Sequence, residues 1–519
     1  QMGQLSEESE SLRSPPSPLW SLLSYRLRIA LLLALALTIE GLMRSNLNMA
    51  YVCMVEEMDS TRPTSSLLRP SEEDCPLLTL TPVNVTERRM HSKDLLKWRS
   101  SDRAYLFPIF YVGGLVVTFA TEYLDRKLGA SRTVLIGACL NVVGTMASPS
   151  IAAHLGPIAL TVVRFIMGAG QGVLWPGMSV LVARWFPVVE KSTALAIATT
   201  GNQLSVIFSM IVTAELCQIE SLGGWPAAFY IYGVLGILLC VLWWAVVVDS
   251  PEDCTSLSVQ ERDLLIGPGT MRRNGKKPKP NWSVILSSPV VWSISLSAFC
   301  HNFVVVAFSS YLPFYYKTVH NMSLTSNGLL STLPFVVQFA SKVVFAGFAD
   351  SAKQKKTFTV TTITKICNSS ASFGIALSLV VISFCDCSSR WAAVVAASTA
   401  MAFISGYVPG YNTSVVCVAP SQTAAISSFS RLWAQIGMSL SPALIGLVVT
   451  TGRVEEWRGI FFGMAALCVV TGVFFQISGS AALQPHLNDL NPTATKEKLL
   501  VDSSASSEKD QSKNEVTPP

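Results

Sequence analysis

The 519-residue sequence has little charge, since Asp, Glu, Lys and Arg make up 14% of it while 50% of its residues are hydrophobic. Soluble globular chains carry about a quarter of charged residues, so the composition excludes an ordinary soluble domain. Apolar segments long enough to cross a bilayer recur along the chain, and about twelve can be placed at roughly 20 residues each. The sequence therefore predicts an all-α membrane protein with about twelve transmembrane helices.

Motifs of catalysis and of primary energy coupling are also missing from the sequence. It has no Gly-x4-Gly-Lys-[Ser/Thr] loop to bind nucleotide phosphates, so ATP-driven pumping is not expected. It has no nucleophile elbow and no cluster of metal-ligating residues, so we predict no enzyme activity, no metal and no cofactor. A filter loop or pore ring of the channel type is missing as well. What remains is a membrane protein whose function resides in its spans.

Lysine and arginine fall in alternate loops, and short loops rich in these residues stay on the cytoplasmic side. Both termini are therefore predicted to be cytoplasmic. A polar, basic segment in the middle separates two sets of spans, which suggests an internal repeat. The predicted units are a cytoplasmic tail 1–25, a first six-helix half 26–248, a cytoplasmic linker 249–289, a second six-helix half 290–480 and a disordered cytoplasmic tail 481–519.

The long loop 56–101 is predicted to lie on the outer side. It holds the sequon Asn84-Val85-Thr86, and a second sequon, Asn321-Met322-Ser323, falls on the same side. Asn84 and Asn321 are therefore predicted glycosylation sites. Most of the cysteines are expected to be small buried hydrophobes. Four lie near outer loops and could include a disulfide: Cys75, Cys217, Cys385 and Cys387.

Two arginines lie inside otherwise apolar spans, Arg44 in the first and Arg164 in the fourth. An arginine at mid-span costs about 2.5 to 3.5 kcal/mol, so each needs a reason. A guanidinium stays charged and presents a planar fork that fits a carboxylate or a phosphate. We therefore predict that both bind an anionic substrate. The alternative is a permanent ion pair, because Glu40 lies one helical turn before Arg44.

Dispersed motifs between Tyr25 and Gly479 carry a resemblance to a known family. They include Arg44-Ser45-Asn46-Leu47-Asn48-Met49-Ala50, Gly170-Gln171-Gly172, Trp185-Phe186-Pro187, Gly224-Trp225-Pro226 and Tyr311-Leu312-Pro313-Phe314. The chain resembles the branch of the major facilitator superfamily that holds sialin, the vesicular glutamate transporters and the sodium/phosphate cotransporters. The resemblance implies a secondary transporter of organic or inorganic anions whose two halves rock about a central site.

The resemblance also implies roles for particular residues. Substrate contacts fall on Arg44, Arg164, Gln171, Asn46, His301 and Asn302. Gln171 replaces a glutamate of the sialin branch and cannot carry a proton, so a coupled proton would need Glu40, Glu122 or His301. The cytoplasmic gate falls on Asp125, Arg126, Arg132 and Asp350.

The expected partners are a small anion, a coupling ion that is either sodium or a proton, and the lipid bilayer. No nucleic acid is expected, and we predict a monomer. The expected location is either the plasma membrane or the membrane of an endolysosomal or secretory vesicle. Two alternative functions remain as well: a nutrient sensor or receptor with little transport, and an anion channel-like uniporter.

Overall fold

Long helices make up nearly all of the structure, a computed structural model that describes residues 24–57, 75, 78, 96–99, 102–186, 191–254, 257, 261–262, 265, 281–355, 358–419, 422–484 and 487. Among these residues, ten helical stretches are long and apolar enough to cross a membrane. Tyr25–Met54 and Thr423–Val448 are comparably long, with 30 and 26 residues, and carry arginines in their interiors. The prediction of an all-α membrane protein is thereby confirmed.

The helices of the first half are α1 (Tyr25–Met54), α2 (Asp102–Leu106), α3 (Pro108–Leu128), α4 (Ala130–His154), α5 (Gly156–Gly172), α6 (Leu174–Trp185), α7 (Lys191–Leu216) and α8 (Pro226–Val246). Those that follow are α9 (Trp282–Ser287), α10 (Pro289–Thr318), α11 (Leu324–Gln354), α12 (Val360–Ser383), α13 (Arg390–Ile404), α14 (Tyr411–Cys417), α15 (Thr423–Val448) and α16 (Val454–Ser478). Two short parallel strands, β1 (Val55–Glu57) and β2 (Leu96–Trp98), pair beside the outer end of α1.

The two halves repeat one pattern of helix packing. In the first half α1 packs along α7, α3 along α5, and α4 along α8. In the second half α10 packs along α15, α11 along α13, and α12 along α16. Counted as membrane spans from the start of each half, both sets pair the first span with the fifth, the second with the fourth and the third with the sixth. The shared pattern is the structural form of the internal repeat that the sequence suggested.

Several membrane spans are broken rather than continuous. α2 stops before Phe107 and α3 starts at Pro108, which has no N–H to donate to the preceding turn. α5 ends at Gly172 and α6 starts at Leu174, after a stretch of three glycines in five residues that weakens the helix. Broken backbone is tolerated at membrane depth where it is covered by protein or lines a cavity. The break after Gly172 therefore points to the interior of the molecule.

α3 and α5 approach closely because glycine removes side chains from their contact. A Cβ on Gly168 would overlap the backbone oxygen of Phe110. We expect Gly168→Ala to lower the stability of the protein by about 1 to 3 kcal/mol, because a backbone carbonyl cannot move aside as a flexible side chain can. A lower melting temperature of the purified protein in detergent would be the readout.

Gly463→Ala provides the matched control for that substitution. Gly463 lies in α16, and a Cβ there would meet no atom within 4 Å. Alanine is the better helix former, so this variant should melt at or above the temperature of the unmodified protein. Equal melting temperatures for the two variants would contradict the close contact between α3 and α5.

Two disulfides lie at the end of the helix bundle that the sequence predicts to be the outer side. Cys53–Cys217 joins the ends of α1 and α7 within the first half, and Cys75–Cys387 joins the outer loop of the first half to the second half. The prediction that the outer cysteines include a disulfide holds for Cys75 and Cys387. Cys217 has a partner that the sequence did not suggest, and Cys385 is a buried free thiol.

The side chain of Asn321 forms a hydrogen bond with the same outer loop. Its side-chain nitrogen donates to the carbonyl of Cys75 at 2.9 Å, and Leu78 pairs with the backbone around Met322. A glycan would replace one of the two hydrogens on that nitrogen and leave the other to donate, so Asn321 stays a predicted glycosylation site. The other one, Asn84, lies outside the described residues.

The disulfide between halves gives a direct biochemical prediction. With a protease site inserted in the linker at 266–280, the cleaved protein should run as one species on a non-reducing gel and as two fragments after reduction. Cys75→Ser should separate the fragments without reductant. Cys53→Ser removes a disulfide that lies within the first half and should leave the fragments joined.

Candidate functional site

Arg44 is held at mid-span by a side chain from α7. Its Nη2 donates to Oδ1 of Asn202 at 2.9 Å, and the arginine is half-buried. Glu40 is buried at 2% exposure, and neither of its carboxylate oxygens has a hydrogen-bond partner among the described residues. The alternative of a permanent ion pair between Glu40 and Arg44 is therefore not realised.

Arg164 lies deeper in the protein and beside Arg44. It is 3% exposed, and its Nη2 donates to the backbone oxygen of Arg44 at 3.0 Å. Its guanidinium carbon lies 4.7 Å from the ring centroid of Phe110, a cation–π contact. Nε of Arg164 has no hydrogen-bond partner in the described part of the chain. The pair therefore offers spare, fixed donors.

Among the further cations in the spans that sequence reasoning missed are Lys342 in α11 and Arg431 in α15. Lys342 Nζ contacts the side-chain oxygen of Gln203 in α7, with the amide of Gln203 oriented so that its nitrogen donates to the backbone of α7. Arg431 lies with its guanidinium carbon 5.0 Å from the ring centroid of Trp175 in α6. Both contacts reach from the second half to the first. The signal was the one that revealed Arg44, a cation inside an apolar span.

His301 belongs to an aromatic cluster of the second half. Its Nδ1 lies 3.0 Å from the hydroxyl of Tyr411, and its ring stacks on Tyr407 at 5.2 Å between centroids. The cluster lies wholly within the second half.

Two runs of contacts meet at the interface of the halves, one through Arg164, Arg44, Asn202, Gln203 and Lys342 and the other from Arg431 to Trp175. His301 and Tyr411, which lie on the second-half side, complete the set. Trp175 lies in α6, directly after the break that follows α5, the helix of Arg164. We call this set the basic ring. It brings together Arg44, Arg164 and His301 from the predicted site.

The other predicted substrate residues are placed differently. Asn46 is fully buried, and its amide has no hydrogen-bond partner among the described residues. Asn302 donates to the carbonyl of Ala298 in its own helix at 2.8 Å. Gln171 is half-buried at the break between α5 and α6. The side chain of Glu122 lies outside the described residues.

The sequence matches the profile of the Major Facilitator Superfamily over residues 33–371. The chain belongs to this superfamily. Its curated relatives place it in the anion/cation symporter family. It is 28% identical to "Uncharacterized transporter slc-17.3" of Caenorhabditis elegans over 75% of this chain and 73% of that protein. It is 26% identical to sialin of Homo sapiens over 89% and 90%, and 25% identical to "Sodium-dependent phosphate transport protein 3" of Mus musculus over 75% and 80%.

Solved structures of the superfamily share the fold. A bacterial homologue of the human lysosomal transporter Spinster, in an inward-facing and unoccupied conformation, superposes with a TM-score of 0.61 at 13% identity, covering 88% of this chain and 97% of that one. The xylose transporter XylE from E. coli, in an inward open conformation, gives 0.60 at 12% identity, covering 87% and 95%. At such identities the likeness concerns the fold alone.

The two facilitator halves pack tightly at their outer ends. Hydrogen bonds there join α1 to α10, α7 to α11, and α2 to the end of α15. They connect Asn48 to Ser309 (3.0 Å), Val52 to Lys317 (2.6 Å), Gln218 to Thr325 (2.7 Å) and Arg103 to Val449 (3.2 Å). The basic ring therefore lies beneath a closed outer side.

The predicted gate residues lie at the cytoplasmic ends of the helices. Asp350 pairs with Lys353 of its own helix at 3.6 Å, and Arg132 is exposed. Asp125 is partly buried, with Oδ1 lacking a hydrogen-bond partner in the described ranges. The side chain of Arg126 lies outside those ranges. The ion pair of Asp350 thus stays within the second half and does not latch the halves together in this conformation.

Asp249 organises the first cytoplasmic turn, a role that sequence reasoning missed. Its carboxylate accepts the backbone N–H of Ser131 at 2.8 Å and lies 3.9 Å from Nη1 of Arg184. Gly129 sits against it with φ of +89°, a backbone conformation that favours glycine. Asp249 thereby ties the start of α4 to the ends of α6 and α8.

Proposed function

We propose that this protein is a secondary active transporter of an organic or inorganic anion, a carboxylate or a phosphate, that works by ion-coupled alternating access. The observation that carries the proposal is the charge of the basic ring. Arg44, Arg164, Lys342 and Arg431 meet around one interface, and among the described residues no carboxylate lies within ion-pair distance of any of them.

The energetics favour a counter-ion that comes from outside the protein. Each cation in a span costs about 2.5 to 3.5 kcal/mol, and a permanent acidic partner would reduce that cost. A protein that retains several such charges unpaired has a site whose missing partner is an anion. Sialin and the sodium-dependent phosphate transport protein, by their names, are relatives consistent with such a cargo.

The packing of the halves supports alternating access. The outer ends are joined by hydrogen bonds between the halves, while the two cytoplasmic salt bridges between helix ends in the described ranges, Arg184–Asp249 and Lys353–Asp350, each stay within one half. The anion would therefore meet the basic ring from the cytoplasmic side in this conformation. Rocking of the halves would then expose the same ring to the outer side. A sensor or a channel-like uniporter has no comparable support.

The coupling ion is either sodium or a proton. If it is a proton, Glu40 and His301 are the described candidates: one is a buried carboxylate without a hydrogen-bond partner, the other a member of the basic ring. His320, in the outer turn after α10, is no candidate. Burial lowers its pKa to about 4, so it stays neutral at physiological pH and in mildly acidic compartments.

Uptake into proteoliposomes tests the proposal. Labelled phosphate, glutamate, sialic acid and urate would be offered while a sodium gradient, a proton gradient and a membrane potential are imposed one at a time. We expect at least one anion to accumulate above its equilibrium level under one gradient. Uptake that only equilibrates would favour the uniporter, and binding without uptake would favour the sensor.

A further inference from the structure

The membrane span formed by α13 and α14 is broken near its middle. Between the two helices lie a single 3-10 turn, Ser405–Tyr407, and the residues Val408-Pro409-Gly410. Pro409 has no N–H to donate to the preceding turn, and Gly410 has an irregular backbone with φ of −77° and ψ of −119°. Backbone of this kind is tolerated at membrane depth where protein covers it or where it lines a cavity.

α12 packs directly against this break, because glycine removes side chains from the contact. A Cβ on Gly406 would lie 2.8 Å from a backbone oxygen of α12, and a Cβ on Gly410 would lie 3.1 Å from Cβ of Asn368 in the same helix. The hydroxyl of Tyr407 lies 3.0 Å from Oγ of Ser372, one turn after Asn368. The break is therefore covered by protein, and polar side chains of α12 lie next to it.

Two buried side chains beside the break are polar and unsatisfied. Asn368 is fully buried, and neither Oδ1 nor Nδ2 has a hydrogen-bond partner among the described residues. Ser414 lies one helical turn after Gly410 and so on the same side of α14. It is also fully buried, and its hydroxyl has no partner in the described ranges. Buried polar groups are costly unless something binds them, so this pair points to a ligand.

The oxygens at the break suit a small monovalent cation. The turns there use the carbonyls of Ser405 and Gly406, which accept from the N–H groups of Val408 and Gly410 at 3.2 and 3.0 Å. The carbonyls of residues 407–409 take no part in these turns. Hard cations prefer oxygen ligands, and unwound backbone in a broken span supplies carbonyl oxygens to sodium. All these groups are neutral, whereas calcium and magnesium sites use carboxylates.

We propose that this break binds sodium through Oδ1 of Asn368, Oγ of Ser414 and backbone carbonyl oxygens of residues 407–409. The inference rests on the proposed transport function and names its coupling ion. Tyr411 follows Gly410 directly, and its hydroxyl lies 3.0 Å from Nδ1 of His301 in the basic ring. Sodium at the break fixes the start of α14 and thereby the position of Tyr411 beside His301. Ion binding and anion binding are linked through this contact.

The melting temperature of the purified full-length protein tests the site, because a ligand that binds the folded state raises that temperature. The probe is sodium chloride, exchanged for choline chloride so that ionic strength and chloride stay constant. We expect a saturable rise of about 2 °C or more as sodium replaces choline.

Variants then locate the site. Asn368→Leu and Ser414→Ala should each raise the sodium concentration for half of that rise by about tenfold, because each removes an oxygen ligand. In choline, Asn368→Leu should melt above the unmodified protein, since leucine has a similar volume and leaves no buried amide unsatisfied. Ser378→Ala is the matched control. Ser378 is a buried serine of α12 whose hydroxyl donates to Gly374 of its own helix at 2.8 Å, so this variant should keep the sodium response.

The outcomes separate the two proposals. No saturable rise with sodium, or a rise that is unchanged in both Asn368→Leu and Ser414→Ala, would overturn the sodium site and leave an anion transporter that couples to protons. A sodium response that both variants weaken would support the site even if phosphate, glutamate, sialic acid and urate are not taken up. In that case the transport function would fail and the sodium site would stand.

Discussion

Arg164→Ala should abolish anion uptake, with a fall of about a hundredfold or more, since losing one partner of a buried charged contact costs about 2 to 5 kcal/mol. Arg164 is almost fully buried, fixes the backbone of Arg44 by a hydrogen bond, and retains an unused donor at Nε. Removing it deletes a binding charge and frees the segment that carries Arg44. Initial uptake rates in proteoliposomes, normalised to inserted protein, measure the effect.

Arg164→Lys extends this test, because lysine keeps the positive charge but lacks the parallel N–H donors of the guanidinium. A lysine cannot donate in parallel to a carboxylate or a phosphate, so we expect partial recovery at most. The matched control is Arg453→Ala, which removes an exposed arginine at the start of α16. Arg453→Ala should transport normally. Wild-type uptake by a correctly inserted Arg164→Ala protein would remove Arg164 from the site.

Gly328→Trp should reduce uptake by tenfold or more by wedging the outer side open. Gly328 lies near the outer start of α11, and a Cβ there would meet Ala214 and the backbone of Met210, both in α7 of the first half. Overpacking such a contact costs about 1 to 3 kcal/mol, and each 1.4 kcal/mol changes an equilibrium about tenfold. The conformation with a closed outer side would become rare.

Spin labels placed on the outer ends of the halves would report that change. Glu215 and Arg453 are both exposed and belong to different halves. In a background without free cysteines, the distance between spin labels at these two positions should increase in Gly328→Trp. Gly347→Trp lies on the same helix at a position where a Cβ would meet nothing within 4 Å, and it should change neither distance nor uptake. An unchanged distance in Gly328→Trp would argue against closure through this contact.

The sequence by itself determined the class of the protein, because hydropathy and charge distribution depend on composition more than on contacts. Spans of about 20 apolar residues have few alternatives to crossing a bilayer as helices. The internal repeat could be read from the basic linker in the middle. Arg44 and Arg164 stood out because a charge in a span is expensive wherever it points.

Only the tertiary structure decided which side chains contact each other and which way each side of a helix faces. A membrane helix is apolar on all sides, so the periodicity that reveals the buried face of a soluble helix is weak. The sequence therefore could not show that Glu40 makes no hydrogen bond to Arg44, that the amide of Asn46 is buried without a partner among the described residues, or that Asn202 binds Arg44. Each depends on the rotation of a helix about its axis.

Contacts between distant segments were decided in the same way. Asp249 binds Ser131, which lies 118 positions earlier in the chain. The disulfide Cys75–Cys387 joins residues that are 312 positions apart. The basic ring likewise needs both halves folded against each other before Lys342 and Arg431 meet the first half. Sequence identifies the charges, whereas only the packing of the two halves brings them around one site.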